Sequence, residues 1–191
     1  ERSQQRFSKG RGRLDSRLTP SRIQVIEELQ RQDLLPSITF IFSRAGCNDA
    51  VNQCLASGLS LTTREEQLAI RGHVDAAFED AEVDELRALG YASWREGLER
   101  GIAAHHAGLL PAFKQVVEDL FQQGLVKVVF ATETLALGIN MPARSVVLEK
   151  LVKWNGSVHA PITPGEYTQL TGRAGRRGID FEGHAIVLWH K

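Results

Sequence analysis

Three guanidinium groups stand among glycines in the stretch QLTGRAGRRGID, residues 169–180: Arg173, Arg176 and Arg177, with Gln169 four positions before the first. A planar fork that stays charged and donates two parallel N–H bonds suits a phosphate, above all a terminal phosphate gathering charge during transfer. A solvated basic helix face is the other use of the same residues. Gly172 and Gly175 favour the first use, because each costs about 1 kcal/mol of helix stability relative to alanine unless something must come close. Just upstream, Thr163-Pro164-Gly165-Glu166 has capping-box spacing with proline in the first turn, which predicts a helix start. Continued through Arg176 at about 100° per residue, that helix puts Gln169, Arg173 and Arg176 on one face and Tyr167, Leu170 and Ala174 on the other.

The phosphate cradle that such arginines would serve is missing from the sequence. There is no Gly-Lys dipeptide, hence no G-x-x-x-x-G-K-[ST], and Asp84-Glu85 is followed by Leu86-Arg87 rather than a magnesium-holding D-E-x-H or D-E-A-D. The chain reads as half of an ATPase site. The six histidines show no metal-ligand spacing with either cysteine, so no zinc site is expected. Cys47 and Cys54 are too few for a disulfide framework and read as reduced thiols of a cytoplasmic protein.

The elements that must position these groups emerge from periodicity and punctuation. With 191 residues, 42% hydrophobic and 24% charged, the chain has the composition of one globular domain. Basic and acidic residues both total 23, so polyanion binding must come from local patches rather than a bulk field. No apolar run reaches the roughly 20 residues that cross a bilayer. The chain starts at Glu1 with no charged-then-apolar leader and reads as a piece of something longer. Residues 1–18, carrying Arg2, Arg6, Lys9, Arg11, Arg13 and Arg17, read as a basic linker without a core.

Thr19-Pro20 predicts a helix start, with Ile23, Ile26 and Leu29 forming an apolar stripe to about Arg31. Pro111 to Gln123, with Phe113, Val116, Val117, Leu120 and Phe121 at helical spacing and Gly124 beyond, predicts an amphipathic helix. Strands are expected at 38–42, 101–105, 125–131, 145–149 and 184–189, with helical patterns between most of them. This alternation predicts an α/β fold with a parallel sheet flanked by helices, whose ligands gather at the carboxyl ends of the strands. Residues of about 58–100, charged and without a strand candidate, read as a helical insertion on one edge.

Three further segments leave strand ends: FIFSRAGCND (40–49), GIAAHHAGLLP (101–111) and ATETLALGINMPAR (131–144). With QLTGRAGRRGID, in this order and spacing, they resemble the second RecA-like domain of superfamily-two DExH-box helicases. More narrowly they resemble the superkiller-type RNA helicases, the actinobacterial HelY-type members above all. The likeness runs from about Ser37 to Trp189.

The resemblance implies roles. Arg173 and Arg176 match the family's arginine fingers, and Gln169 the polar residue facing the γ-phosphate and attacking water. Gly138 and Asn140 match positions that approach the nucleotide. Ser43, Arg44 and Cys47, His106 and Gly108, and Thr132 with Glu133 and Thr134 match positions that face nucleic acid. It further implies ATP and Mg2+ held mainly by a first RecA-like domain of the same parent chain, and single-stranded RNA, with DNA possible, as the strand translocated 3′ to 5′. A DNA-repair motor or a non-catalytic docking module are the rival readings. From the residues alone, Cys47 is open between a packed thiol and a nucleic-acid contact. His105 is expected in the core and His106 exposed, because strand neighbours alternate faces.

Overall fold

The computed structural model of the chain describes residues 19–137 and 141–188. The expected linker, Gly138 and Asn140, and Trp189 at the end of the fifth expected strand lie outside them.

Ser21 caps the first helix, α1 (Arg22–Arg31), through a full capping box with Gln24, two residues later than Thr19-Pro20 implied. Ile26 and Leu29 are its buried stripe. The first strand, β1 (Ser37–Phe40), is buried at every position and leads into α2 (Arg44–Ala56). Next come α3 (Arg64–Ala77), α4 (Val83–Ala88) and α5 (Tyr91–Glu99), then β2 (Ile102–His105), α6 (Pro111–Gln122) and β3 (Val128–Ala131). A short 3-10 helix (Glu133–Leu137) precedes β4 (Ser145–Leu148). An antiparallel hairpin of β5 (Val152–Trp154) and β6 (His159–Pro161), then α7 (Pro164–Thr171) and β7 (His184–Val187), complete the described chain.

Five strands pair in parallel in the order β2-β3-β1-β4-β7. Side chains alternate across the sheet, as a period of two demands. Val128 and Phe130 face the layer of α1 and α2 with Ile26, Cys47 and Val51. Val129 and Ala131 face the other layer with Val116, Leu120 and Leu170. The α/β fold expected from the sequence is therefore present, with β1 at the centre.

Part of the stretch read as an insertion is built into the core. Ile70 and Val74 of α3 and Leu98 of α5 are fully buried in the same cluster as α6. Phe78 and Trp94 enclose Phe113, with Trp94 and Phe113 stacked at 4.4 Å and Phe78 edge-on at 5.1 Å. Pairs of this kind stabilise by about 0.5–1.5 kcal/mol beyond the area they bury. These helices cover the β2 side of the sheet rather than hanging from it.

The expected helix through Arg176 stops five residues early. Gly172 is the C-cap of α7, and the backbone of Ala143, ahead of β4, captures the residues beyond it. Ala143 N–H donates to Arg173 O at 2.9 Å, and Gly175 N–H donates to Ala143 O at 2.8 Å. These bonds replace the i to i−4 ladder, and Gly175 turns the chain at φ +90°. The hairpin of β5 and β6 has no counterpart in the sequence expectations, because its strands are three residues each and mostly exposed.

Candidate functional site

Because every strand of the main sheet runs the same way, the loops leaving β1, β2 and β3 share one edge. Ser43 caps α2 there, its Oγ accepting from Gly46 N–H at 3.2 Å, and both Ser43 and Arg44 are exposed. Gly46 has no room for a side chain, since a Cβ would stand 2.8 Å from Ile41 Cγ2. An exposed helix N-terminus with an arginine in its first turn is suited to phosphate oxygens.

Cys47, one turn further, is fully buried and its thiol lies 3.7 Å from Ile41 O. Burial pushes the thiol up to about 12. Of the two uses left open for Cys47, its side chain shows the packed thiol.

His105 and His106 are both buried, so the expectation of an exposed His106 is corrected. His105 Nε2 stands 2.8 Å from Glu118 Oε1. His106 Nδ1 accepts from Gly108 N–H at 3.1 Å, which leaves the proton on Nε2 to be donated to Asn48 Oδ1 at 3.0 Å. Burial first, then the nearby Arg44, lower its pKa, so it is a neutral brace between the turn and α2. Gly108 itself is exposed, and a Cβ there would come within 3.2 Å of His106 Nδ1. These bonds tie the turn of Gly108 to Asn48 of α2 through the His106 ring.

After β3, Thr132 is buried and Thr134 exposed, with their hydroxyls 2.9 Å apart. Glu133 and Glu166 flank Lys153 of the hairpin, whose ammonium lies 2.6 Å from Glu166 Oε1 and 3.9 Å from Glu133 Oε1. The Lys153 ammonium and the Thr163 cap hold Glu166 down at about 2. A cleft of about 360 Å³ lies among Phe42, Glu133, Thr134, Lys153 and Gln169. A second, of about 820 Å³, shares Phe42 and Lys153 and runs past Ser43, Lys150 and Trp154. Trp154 is 55% exposed and edge-on to His159 at 5.3 Å.

The arginines lie elsewhere. Gln169 lines the cleft at the carboxyl edge, whereas α7 descends from it and delivers residues 173–176 to the chain just ahead of β4. The three are not on one helix face, which corrects that expectation. Arg173 is half-buried. Arg176 borders a polar cleft of about 340 Å³ with Gln30, Asp33, Pro36 and Lys127, beside the amino ends of β1 and β3. Its guanidinium is forked by Asp180, with Nε to Oδ2 and Nη2 to Oδ1 both 2.8 Å. The guanidinium holds the Asp180 carboxyl down at about 2. Asp180 was not singled out from the sequence, although a carboxylate four residues after the arginine was the available signal.

Gly175 is explained by the chain's own path: it turns at φ +90° with Gly183 Cα and N within 3.3 Å of where its Cβ would stand. A Cβ on Gly183 would sit 2.3 Å from Ala174 C and 2.4 Å from Gly175 N, so two backbones touch where the sequence suggested a close-approaching ligand. Cationic donors of this kind fit phosphate oxygens and not a magnesium ion. Among the described residues no three His, Cys, Asp or Glu side chains are grouped to hold a metal.

The five-stranded parallel sheet flanked by helices is a RecA-like α/β fold. The chain belongs to the helicase family described as "Helicase conserved C-terminal domain", which matches residues 77–178. It is 63% identical over 182 residues, 95% of its length, to a protein of Mycobacterium tuberculosis named "Probable helicase HelY", of which that region is 20%. It is 42% identical over 86% of its length to "DExH-box ATP-dependent RNA helicase DExH11" of Arabidopsis thaliana. It is 40% identical over 87% of its length to "Superkiller complex protein 2" of Homo sapiens. The chain spans about a fifth of the mycobacterial relative and 12% and 13% of the other two.

Proposed function

We propose that this chain is the C-terminal motor domain of an ATP-dependent RNA helicase that works as part of a larger protein. One observation carries the reading: the exposed N-terminus of α2 with the 132–134 turn, and the arginine loop, occupy opposite edges of one parallel sheet, and α7 links them. Ser43, Arg44, Gly108 and the 132–134 turn then grip the phosphates of a single strand, contacts that carry little sequence information and weaken with salt. Arg173 and Arg176 meet the γ-phosphate of ATP held, with Mg2+, by a first motor domain of the same parent. ATP supplies the phosphoryl transfer that drives closure and release. Gln169, close to the 132–134 turn, suits a role in relaying strand engagement to the arginines. Gly138 and Asn140 complete the nucleotide side in this reading. Translocation runs 3′ to 5′. Fully buried Cys47 and Cys54 suit a cytoplasmic protein.

RNA is favoured as the strand because two relatives, both of Arabidopsis thaliana, are named DExH-box ATP-dependent RNA helicases. The isolated chain, without a phosphate cradle, is inactive. The test is ATP turnover of the full-length parent and its Arg176→Ala variant, with no nucleic acid, with single-stranded RNA and with single-stranded DNA, alongside a separate ATP-binding measurement. Loss of stimulated turnover with binding retained supports the reading. Unchanged turnover would make the loop a basic surface, and stimulation by DNA alone would make the parent a DNA motor.

A further inference from the structure

The loop that carries Arg176 is closed on a single carboxylate. Asp180 Oδ2 accepts both the backbone N–H of Arg176 and its Nε–H, each at 2.8 Å, while Oδ1 accepts from Nη2 at 2.8 Å. The backbone N–H groups of Ile179 and Asp180 both donate to Arg176 O at 3.0 Å. Gly178, at φ +77°, permits the reversal between them. The Asp180 side chain is 5% exposed and that of Arg176 24% exposed. One buried acid therefore grips the arginine at its backbone and at its tip, which fixes a long side chain that otherwise has many rotamers.

The carboxylate meets only the Nε edge of the fork. It uses two of the five N–H donors of a guanidinium, and the Nη1 side faces away from it. We propose that Asp180 is the positioning residue of Arg176, holding the guanidinium so that its Nη1 edge is presented to the γ-phosphate. This deepens, and rests on, the reading of Arg176 as a phosphate-facing arginine. A donor that is already oriented needs no reorganisation as charge builds on the transferring group. A restraint that kept the arginine from ATP would occupy the opposite edge. The bond from Asp180 to the Arg176 backbone also makes carboxylate and guanidinium move as one unit when the domains close.

The experiment uses the full-length parent with saturating single-stranded RNA and compares wild type, Arg176→Ala, Asp180→Asn, Asp180→Glu and the Arg176→Ala/Asp180→Asn double variant. Asn keeps the size of the side chain but loses the charged fork, so kcat is expected to fall roughly 10- to 100-fold, the scale of one charge-assisted pair. KM for ATP stays within about threefold of wild type, since ground-state binding is left to the first domain. Adding Asp180→Asn to Arg176→Ala costs nothing more, because the group it positions is already gone. Asp180→Glu, which keeps the fork one methylene displaced, recovers part of the lost kcat. Should Asp180→Asn fail to fold, a reduced kcat in Asp180→Glu at unchanged melting temperature carries the same conclusion.

Three results overturn the proposal: turnover of Asp180→Asn within about twofold of wild type, turnover raised in the absence of RNA, or a loss that repeats in full on the Arg176→Ala background. The second would identify a restraint and the third a purely structural acid. If Arg176→Ala itself turns over like wild type, it is the phosphate-facing reading that fails; if only Asp180→Asn does, that reading stands and the positioning role is lost.

Discussion

Replacing Gly183 by alanine tests how the arginine loop is held. The new Cβ would lie 2.3 Å from Ala174 C, 2.4 Å from Ala174 O and 2.4 Å from Gly175 N. All three are backbone atoms, in a segment pinned by the bonds between Ala143 and residues 173 and 175. No side-chain rotation can relieve the contact, so either the link leading to β7 or the arginine loop must move. Overpacking of this kind costs about 1–3 kcal/mol, and a backbone clash belongs at the upper end. For a domain of this size each kcal/mol lowers the melting temperature by about 2–4 °C, so Gly183→Ala should lose roughly 4–12 °C. Gly165→Ala is the control: it sits in the first turn of α7 with no atom within 4 Å of an added Cβ, and should be neutral or slightly stabilising. Thermal unfolding followed by circular dichroism measures both. A Gly183→Ala variant melting within about 1 °C of wild type would refute the close crossing and the account of Gly175 built on it.

Other consequences are open to simple measurement. The Asp180 carboxyl is lowered from 3.8 to about 2 in the folded state, so its contribution is present above pH 4 and is lost as the pH falls toward 2. Urea unfolding of wild type and Asp180→Asn should therefore differ at pH 5 and converge near pH 2. The Cys47 and Cys54 thiols, pushed up to about 12 and about 11 by burial, should resist a disulfide reagent at pH 8 until the chain is unfolded; rapid labelling of the native protein would contradict their packing. Phe113→Ala empties the contact with Phe78 and Trp94 and should cost about 3–5 kcal/mol in chemical denaturation, whereas a loosely attached 58–100 segment would give a much smaller loss.

Much of the fold was legible in order along the chain. The α6 stripe emerged within one residue of its observed end because Phe113, Val116, Val117, Leu120 and Phe121 repeat at the helical period. The five strand cores appear within the expected runs, and the loops at 43–46 and 106–108 leave strand ends as their order suggested, whereas the arginine motif lies at the opposite edge. The helices of 58–100 were legible as helices but not as core, since nothing local announces that Ile70, Val74 and Leu98 meet α6.

The sequence by itself determined the residue types available for chemistry, the alternation that makes a parallel sheet, and the absence of a phosphate cradle. These are local facts, set by near neighbours along the chain. Tertiary structure decided which groups face outward. Cys47 and His106 are closed off by packing from β1, α2 and the 106–108 turn. The α7 helix ends at Thr171 because a strand-like partner far upstream offers Ala143, and because Gly183 leaves room for the crossing. Arg176 is oriented by Asp180 only once that helix has ended and the loop can fold back. A helix continued through Arg176 and the observed loop are written in the same local residues; backbone hydrogen bonds to a distant segment select between them.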